Sequence, residues 1–321
     1  MKVSVCMATY NGAEYIGQQL ESILSQSRKP DQVVLCDDGS EDGTVTVIRD
    51  FIQENGLQDA WKLYLNKERK GYPGNFYHAM SLCCGDVVFL ADQDDIWYRE
   101  KIAHMCRVFE DQPGAAVVCC KLCLIDAEGA RIHSVMAPTR ETNGKQKGEL
   151  RRVGIEEVFY KCEWPGMVTA YRRNWYQGWQ PRGGSAVPHD FLICARAAEE
   201  GEFYQMDEVL ACHRRHDGNA GGEEHRLGRL LQRERKLREI LDYLEILQVF
   251  HREDVLRTGN GKAALGRKTA SMQGRYEALK SGSLRQVLGN AGRHRRETRI
   301  KTLLCDVLIV LKCKFPKIHH R

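Results

Sequence analysis

Apolar positions in the first third of the chain fall into two alternating patterns. Val3-Ser4-Val5-Cys6-Met7-Ala8 is a mainly apolar run of strand length that stops at the polar turn Thr9-Tyr10-Asn11-Gly12. Ile16, Leu20, Ile23 and Leu24 then recur at the i, i+4, i+7, i+8 spacing of a helix with one buried face. Pro30 and Asp31 close that connection, and Val33-Val34-Leu35-Cys36 reads as a second strand. The pattern repeats with a helix on Val45, Ile48, Phe51 and Ile52, a strand near Leu63–Leu65, and a helix over Phe76–Leu82 after the glycine- and proline-marked loop 66–75. Val87–Ala91 is apolar throughout, as a strand covered on both faces should be, and a helix over Arg99–Glu110 and a strand over Ala115–Leu124 follow. Such alternation predicts an α/β fold: an open, mostly parallel twisted sheet flanked by helices with right-handed crossovers.

In sheets of that kind ligands bind beyond the carboxyl ends of the strands. The rule gathers Tyr10, Asp38, Asp92 and Asp94 on one rim although they lie far apart in sequence. The fourth strand runs into Asp92-Gln93-Asp94-Asp95, and bare carboxylates at a buried strand end repel one another. A hard divalent cation such as Mg2+ or Mn2+ would resolve the repulsion, because it takes oxygen ligands and leaves positions for substrate phosphates. An acidic turn capping the next helix is the alternative, and Asp95 fits that role in either case.

Later stretches add chemistry. Trp164-Pro165-Gly166 puts an aromatic residue and a tight turn before the apolar Met167–Ala170. Asp190, after His189, stands at the start of the helical run Phe191–Ala198, either as a reactive carboxylate or as its cap. Arg214-Arg215-His216 precedes a glycine-containing loop that could approach an anion, or it is a solvated basic turn. The polar segment 136–150 reads as a long surface loop. Leu230, Leu231, Leu237, Ile240, Leu241, Leu244 and Leu247 outline an amphipathic helix, and shorter helical pieces are expected between the glycines beyond it.

Charge separates the two ends of the chain. Residues 225–321 hold 23 Lys and Arg against 9 Asp and Glu, net +14, which leaves −9 for the rest of a chain whose total is +5. A basic tail of this kind favours an anionic surface. The run Leu303–Leu311, interrupted by Asp306, could lie on a membrane but is far short of the roughly 20 residues that cross one. The 13 cysteines are scattered, and several sit inside apolar runs. With no leader pattern before the first strand, reduced thiols and a cytoplasmic location are expected, at most peripheral on the inner face of the plasma membrane. Cys120 and Cys123 form a CxxC inside a strand, with no second pair at zinc-ligand spacing. No GxGxxG follows the first strand, and neither GxxxxGK[ST] nor GxSxG occurs.

Taken in order, VSVCMATYNGAEYI, VVLCDDGSEDGT, DQDDIW, His189-Asp190 and Arg214-Arg215-His216 with Asn219 resemble the motifs of the family-2 glycosyltransferases, and DQDDIW resembles the wording of rhamnosyltransferase-like members. The resemblance covers residues 1–222 and implies a GT-A fold, with a nucleotide-binding half at about 1–112, an acceptor-binding half at about 113–222, and a helical basic extension over 223–321. It implies a metal-dependent, inverting transfer of a sugar, plausibly rhamnose, from a dTDP- or UDP-linked donor to a glycan or lipid-linked acceptor in surface polysaccharide biosynthesis. It places the base at Asp190, the metal at Asp94 and Asp92 with His216, and the donor at Ala8, Tyr10, Asn11, Asp38, Gly71, Asn75, Asp92, Gln93, Arg214 and His216. Trp164, Gly166 and His189 fall to the acceptor. The basic extension suits an anionic membrane surface; nucleic acid is not an expected partner. Phe191, where such members often have Trp, and His213, before the Arg-Arg-His turn, depart from the pattern and touch no proposed catalytic carboxylate. A sugar nucleotidyltransferase on the same fold and a non-catalytic module that binds membrane or nucleic acid are the competing readings.

Overall fold

The computed structural model describes residues 1–132, 149–161, 164–181, 184–216 and 231–314. The expected long loop therefore falls almost wholly outside the described residues, as do Asn219 and the glycines after His216. Among the described residues the chain forms two compact units, Met1–Gly154 with Glu163–Arg215, and Ile155–Cys162 with His216–Arg321.

The first unit is built on one sheet. Strands β1 (Val3–Thr9), β2 (Gln32–Asp37), β3 (Trp61–Leu65) and β4 (Val87–Ala91) are parallel and lie in the order β3-β2-β1-β4. Every residue of β4 is buried, as its uninterrupted apolar sequence requires. Helices α1 (Ile16–Leu24), α2 (Thr44–Glu54) and α3 (Gly74–Ser81) make the crossovers. The sheet then continues through β9 (Thr169–Arg172), antiparallel to both neighbours, to β6 (Val117–Ile125) and β10 (Phe203–Arg214), which run parallel to each other. The two-residue β5 (Ile96–Trp97) closes the order against β10, while β7 (Arg131–Ile132) and β8 (Leu150–Arg152) pair with β6 and β10. Helices α4 (Lys101–Asp111), α6 (Arg173–Gln177) and α7 (His189–Glu200) complete the unit.

The order has a functional consequence. The chain winds from β1 outward to β3 and then returns to the other side of β1 for β4, so the sheet reverses direction of winding between β1 and β4. The crevice at such a switch point, outside the carboxyl ends of the strands, is where open α/β sheets hold ligands. It lies between the turn after β1 and the acidic turn after β4.

The second unit is helical. Besides α5 (Ile155–Lys161) it has α8 (Arg233–Arg252), α9 (Gly259–Ser281), α10 (Leu284–Arg293) and α11 (Ile300–Lys314). Its core includes Leu237, Ile240, Leu244, Leu247, Phe250, Leu265, Met272, Leu279 and Ile309. A β-carbon on Gly274 would lie 2.1 Å from the Asn290 Oδ1, so glycine there is what lets α9 and α10 approach. Arg275 holds the buried Asp306 with two hydrogen bonds of 2.7 and 2.8 Å, which explains the charge inside the apolar run 303–311. No described helix is long and apolar enough to cross a membrane.

Candidate active site

Two turns make the floor of the crevice. After β1, Ala8 is partly buried in the strand end, Tyr10 is 37% exposed, and Asn11 takes a positive φ of 47°. The Asn11 amide donates to Ser40 Oγ, and its side-chain oxygen accepts from the Glu41 amide, which ties this turn to the one after β2. Gln93 joins it to the acidic turn: its Oε1 accepts from the Tyr10 amide and its Nε2 donates to the Tyr10 carbonyl, each at 3.0 Å. Gly12, read from the sequence only as part of the polar turn, is what allows this pair, since a β-carbon there would stand 2.4 Å from Gln93 Cδ. Gly12→Ala should keep the fold but cost the two hydrogen bonds, about 1–2 kcal/mol. A lower melting temperature is the expected result; an unchanged one would mean that the link does not hold the two turns together.

The third turn, after β2, is internally satisfied. Asp37 accepts from Thr9 Oγ1 and from the Gly39 and Ser40 amides. Asp38, expected at the donor, is 4% exposed and its carboxylate accepts from the amides of Lys70 and Gly71 and from Asn66 Nδ2 at 2.7–2.9 Å. Burial works to raise its pKa, but these donors outweigh it and hold the carboxyl below its ordinary range. Asn75 is 4% exposed and is also spent inward, donating to the Cys36 carbonyl and accepting from Asn66. Asp38, Gly71 and Asn75 therefore order the loop 66–75 as its scaffold. From that loop Arg69 stacks over the Tyr10 ring at 3.9 Å, a cation beside the crevice that no motif picks out.

The acidic turn is where the electrostatics concentrate. Asp92 and Asp94 are partly exposed, and the Asp92 carboxyl is pushed up to about 7 by desolvation first, then by the charges of Asp94 and Asp190, with Lys101 opposing. Asp190, 98 positions further on, is thus close enough to sense Asp92. It sits in the first turn of α7, where the helix dipole favours a carboxylate; Pro188, not Asp190, is the cap. Its Oδ2 accepts from the Gly166 amide at 3.1 Å. Gly166 is required at that point: a β-carbon would lie 2.9 Å from His189 Nε2 and 3.6 Å from Leu90 Cβ, so the end of β4, the turn at Gly166 and the start of α7 meet there. Buried Lys101 braces the same place, donating to the Met167 carbonyl and lying over Trp97.

A carboxylate pair at the switch point, a third carboxylate whose charge reaches it and a cation-capped aromatic are chemistry that suits a cation-borne anionic ligand and a proton transfer. The glycosyl transferase family 2 model matches residues 4–174, the span that contains all three turns and Gly166. The chain belongs to this family. A Bacillus subtilis protein named as a glycosyltransferase, EpsE, is 31% identical over 210 residues, 65% of this chain and 71% of that protein. The dTDP-rhamnosyl transferase RfbG of Shigella flexneri is 33% identical over 111 residues, 33% of this chain and 38% of RfbG, so the similarity spans little more than a third of either. Residues 1–349 of S. aureus TarS, solved with UDP, align with a TM-score of 0.58 at 16% identity over 100% of this chain and 93% of that one, a likeness of fold. This family-2 glycosyltransferase has the GT-A architecture, as the order of its motifs implies.

Several expected site residues stand elsewhere than the motifs imply. Arg214, expected over the donor diphosphate, is fully buried beneath the acidic turn. Its guanidinium donates to the carbonyls of Asp94, Asp126 and Ala127 and to Gln18 Oε1, and it lies 4.9 Å from the Tyr15 ring centroid. Asp95 does not cap α4, which has Glu100 at its cap; it is 1% exposed and accepts the Arg214 amide at 3.0 Å. Burial, with Asp92 and Asp94 adding, raises the Asp95 carboxyl well above its usual range. Trp164 is 6% exposed and packs edge-on against Phe203, so its indole is part of the core, not a platform for an acceptor. His189 is 2% exposed, stacked on Phe76 at 4.0 Å, with neither ring nitrogen partnered among the described residues; burial lowers its pKa although Asp190 opposes. His216 is half-buried and opens the second unit.

Proposed function

We propose that this enzyme transfers a sugar from a nucleoside diphosphate to a hydroxyl of a glycan or lipid-linked acceptor, with inversion, in surface polysaccharide assembly. The observation that carries the reading is the junction where the end of β4, the Gly166 turn and the start of α7 meet, with Asp190 held by the Gly166 amide there and Asp92 and Asp94 following β4. Desolvation first, then the charges of Asp94 and Asp190, disfavours the ionised Asp92 carboxylate, and a divalent cation relieves that. Among the described residues no group of three or more His, Cys, Asp and Glu side chains could hold a metal. Mg2+ commonly uses one or two carboxylates and completes its shell with waters and substrate phosphates, so Asp92 and Asp94 fit Mg2+ or Mn2+ together with a diphosphate. Bound there, the cation would supply Lewis-acid stabilisation of the leaving diphosphate.

The chain's own residues do the rest. Gln93 and Tyr10 fix the two turns against each other so that the donor meets a rigid floor. Asp190, held by the Gly166 amide, takes the proton from the acceptor hydroxyl. A single base at the reacting carbon makes one displacement, hence inversion. A dTDP- or UDP-linked donor and rhamnose as the sugar are favoured by DQDDIW and by the similarity to a dTDP-rhamnosyl transferase. We place the enzyme in the cytoplasm at the inner face of the membrane, where the basic second unit and the exposed Ile300, Leu304 and Leu308 of α11 suit an anionic surface.

Chelation tests the metal directly. EDTA should abolish transfer, and Mn2+ or Mg2+ should restore it; Asp94→Asn should lower kcat by about 10²-fold or more. Full activity in EDTA would remove the cation from this reading.

A further inference from the structure

Cys123 and Cys212 are register partners on the parallel strands β6 and β10, so their side chains leave the sheet on the same face. Their sulfurs stand 2.7 Å apart, both as thiols. The pair is wrapped by Ile125, Ile96 and Val209, but at 6% and 7% exposure neither cysteine is sealed off. Tyr98, itself 37% exposed, brings its hydroxyl to 3.6 Å from Cys123 Sγ, and Arg131 donates to that hydroxyl at 2.9 Å. This arrangement is an electropositive, partly accessible thiol environment of the kind that makes a cysteine reactive.

We propose that Cys123 and Cys212 form an oxidisable dithiol that hydroperoxides convert to a cross-strand disulfide, locking β10 onto β6 directly beneath the acidic turn. Neither residue belongs to the donor or acceptor machinery, and the proposal stands whatever sugar is transferred. The Cys123 thiolate attacks one peroxide oxygen; the O–O bond breaks, water leaves, and Cys123 carries a sulfenic acid. The Cys212 sulfur then displaces hydroxide from it, so the S–O bond breaks, the S–S bond forms, and a second water leaves. Two electrons pass from the thiols to the peroxide, and a dithiol reductant reverses the change. The Cys123 thiol is lowered to about 6, first by Cys212 and then, against burial, by Tyr98 and Arg131, which supplies the attacking thiolate.

The position of the pair gives the bond its effect. Cys212 also pairs with Ile96 of β5 and lies two residues before Arg214, whose amide and guanidinium hold Asp95 and Asp94. The sulfurs need only close to about 2.05 Å, within the reach of adjacent strands. A bond closing a loop of this length should raise the melting temperature by about 5 °C or more.

The experiment treats the full chain with hydrogen peroxide in a Cys84→Ser/Cys313→Ser background, which removes the two thiols that are exposed among the described residues. Expected are a loss of 2 Da, a single Cys123–Cys212 linked peptide, and a rise in melting temperature that dithiothreitol reverses. The rise should vanish in Cys123→Ser, and in Cys212→Ser or Cys123→Ala should either serine variant fold poorly. Sulfinic acid at Cys123, linkage through other cysteines, no reaction, or a rise that persists without Cys123 would each overturn the proposal.

Discussion

Asp190→Asn should leave a folded protein that still binds UDP but transfers sugar at least 10²-fold and as much as 10⁴-fold more slowly, the span a positioned general base contributes. Asparagine matches aspartate in shape, and its side-chain oxygen can still accept from the Gly166 amide, so the junction between the end of β4, the Gly166 turn and α7 survives the loss of the bond that the other carboxylate oxygen accepts from the Phe191 amide. What disappears is the basic oxygen proposed to take the acceptor proton. The proposed donor side should be untouched, since the residues assigned to it stand at other turns of the sheet. Single-turnover transfer measured beside UDP binding separates the two effects. Residual transfer within tenfold of the wild type would place the base on another residue.

The sheet was legible because its physics is local. Val87–Ala91 could only be a strand covered on both faces, and the helix spacing of Ile16, Leu20, Ile23 and Leu24 returns as α1 with all but Leu24 buried. The rim was legible for the same reason: once the strands alternate with helices, strand ends converge, and Tyr10 and Asp92–Asp94 come to the switch point. What local pattern could not reveal is which polar atoms would be spent inside. Asp37 and Asp38 look alike in sequence, yet one builds its own turn and the other anchors a loop more than thirty residues away. Trp164 falls to the acceptor only through the family resemblance, and the arrival of Phe203 from β10, distant in sequence, makes it core. Lys101 offered no signal at all, since its carbonyl partner lies 66 positions away. The inclusion of Ile155–Cys162 in the helical unit likewise depends on pairings across long separations, such as Phe159 against Phe250.

Arg214 decides between two ways in which the basic turn can serve the site. If the guanidinium acted on the diphosphate, Arg214→Ala would fold normally and bind UDP weakly. The structure instead gives it four acceptors from three parts of the chain: Asp94 at the acidic turn, Asp126 and Ala127 after β6, and Gln18 on α1. Removing it would strand those acceptors, among them the Asp94 carbonyl of the acidic turn, a loss of about 3–5 kcal/mol. In a unit of this size that is a fall in melting temperature on the order of 10 °C. The backbone amide of residue 214 still reaches Asp95 in the alanine variant, so the deficit belongs to the guanidinium. Arg214→Lys keeps the charge but has no planar fork to span the Asp94 carbonyl and the 126–127 carbonyls together, and it should recover only part of the stability. Thermal unfolding of the two variants, read beside UDP affinity, tests this. A normal melting temperature with impaired UDP binding would return Arg214 to the diphosphate; a large loss of stability makes it the residue through which β10 sets the position of Asp94.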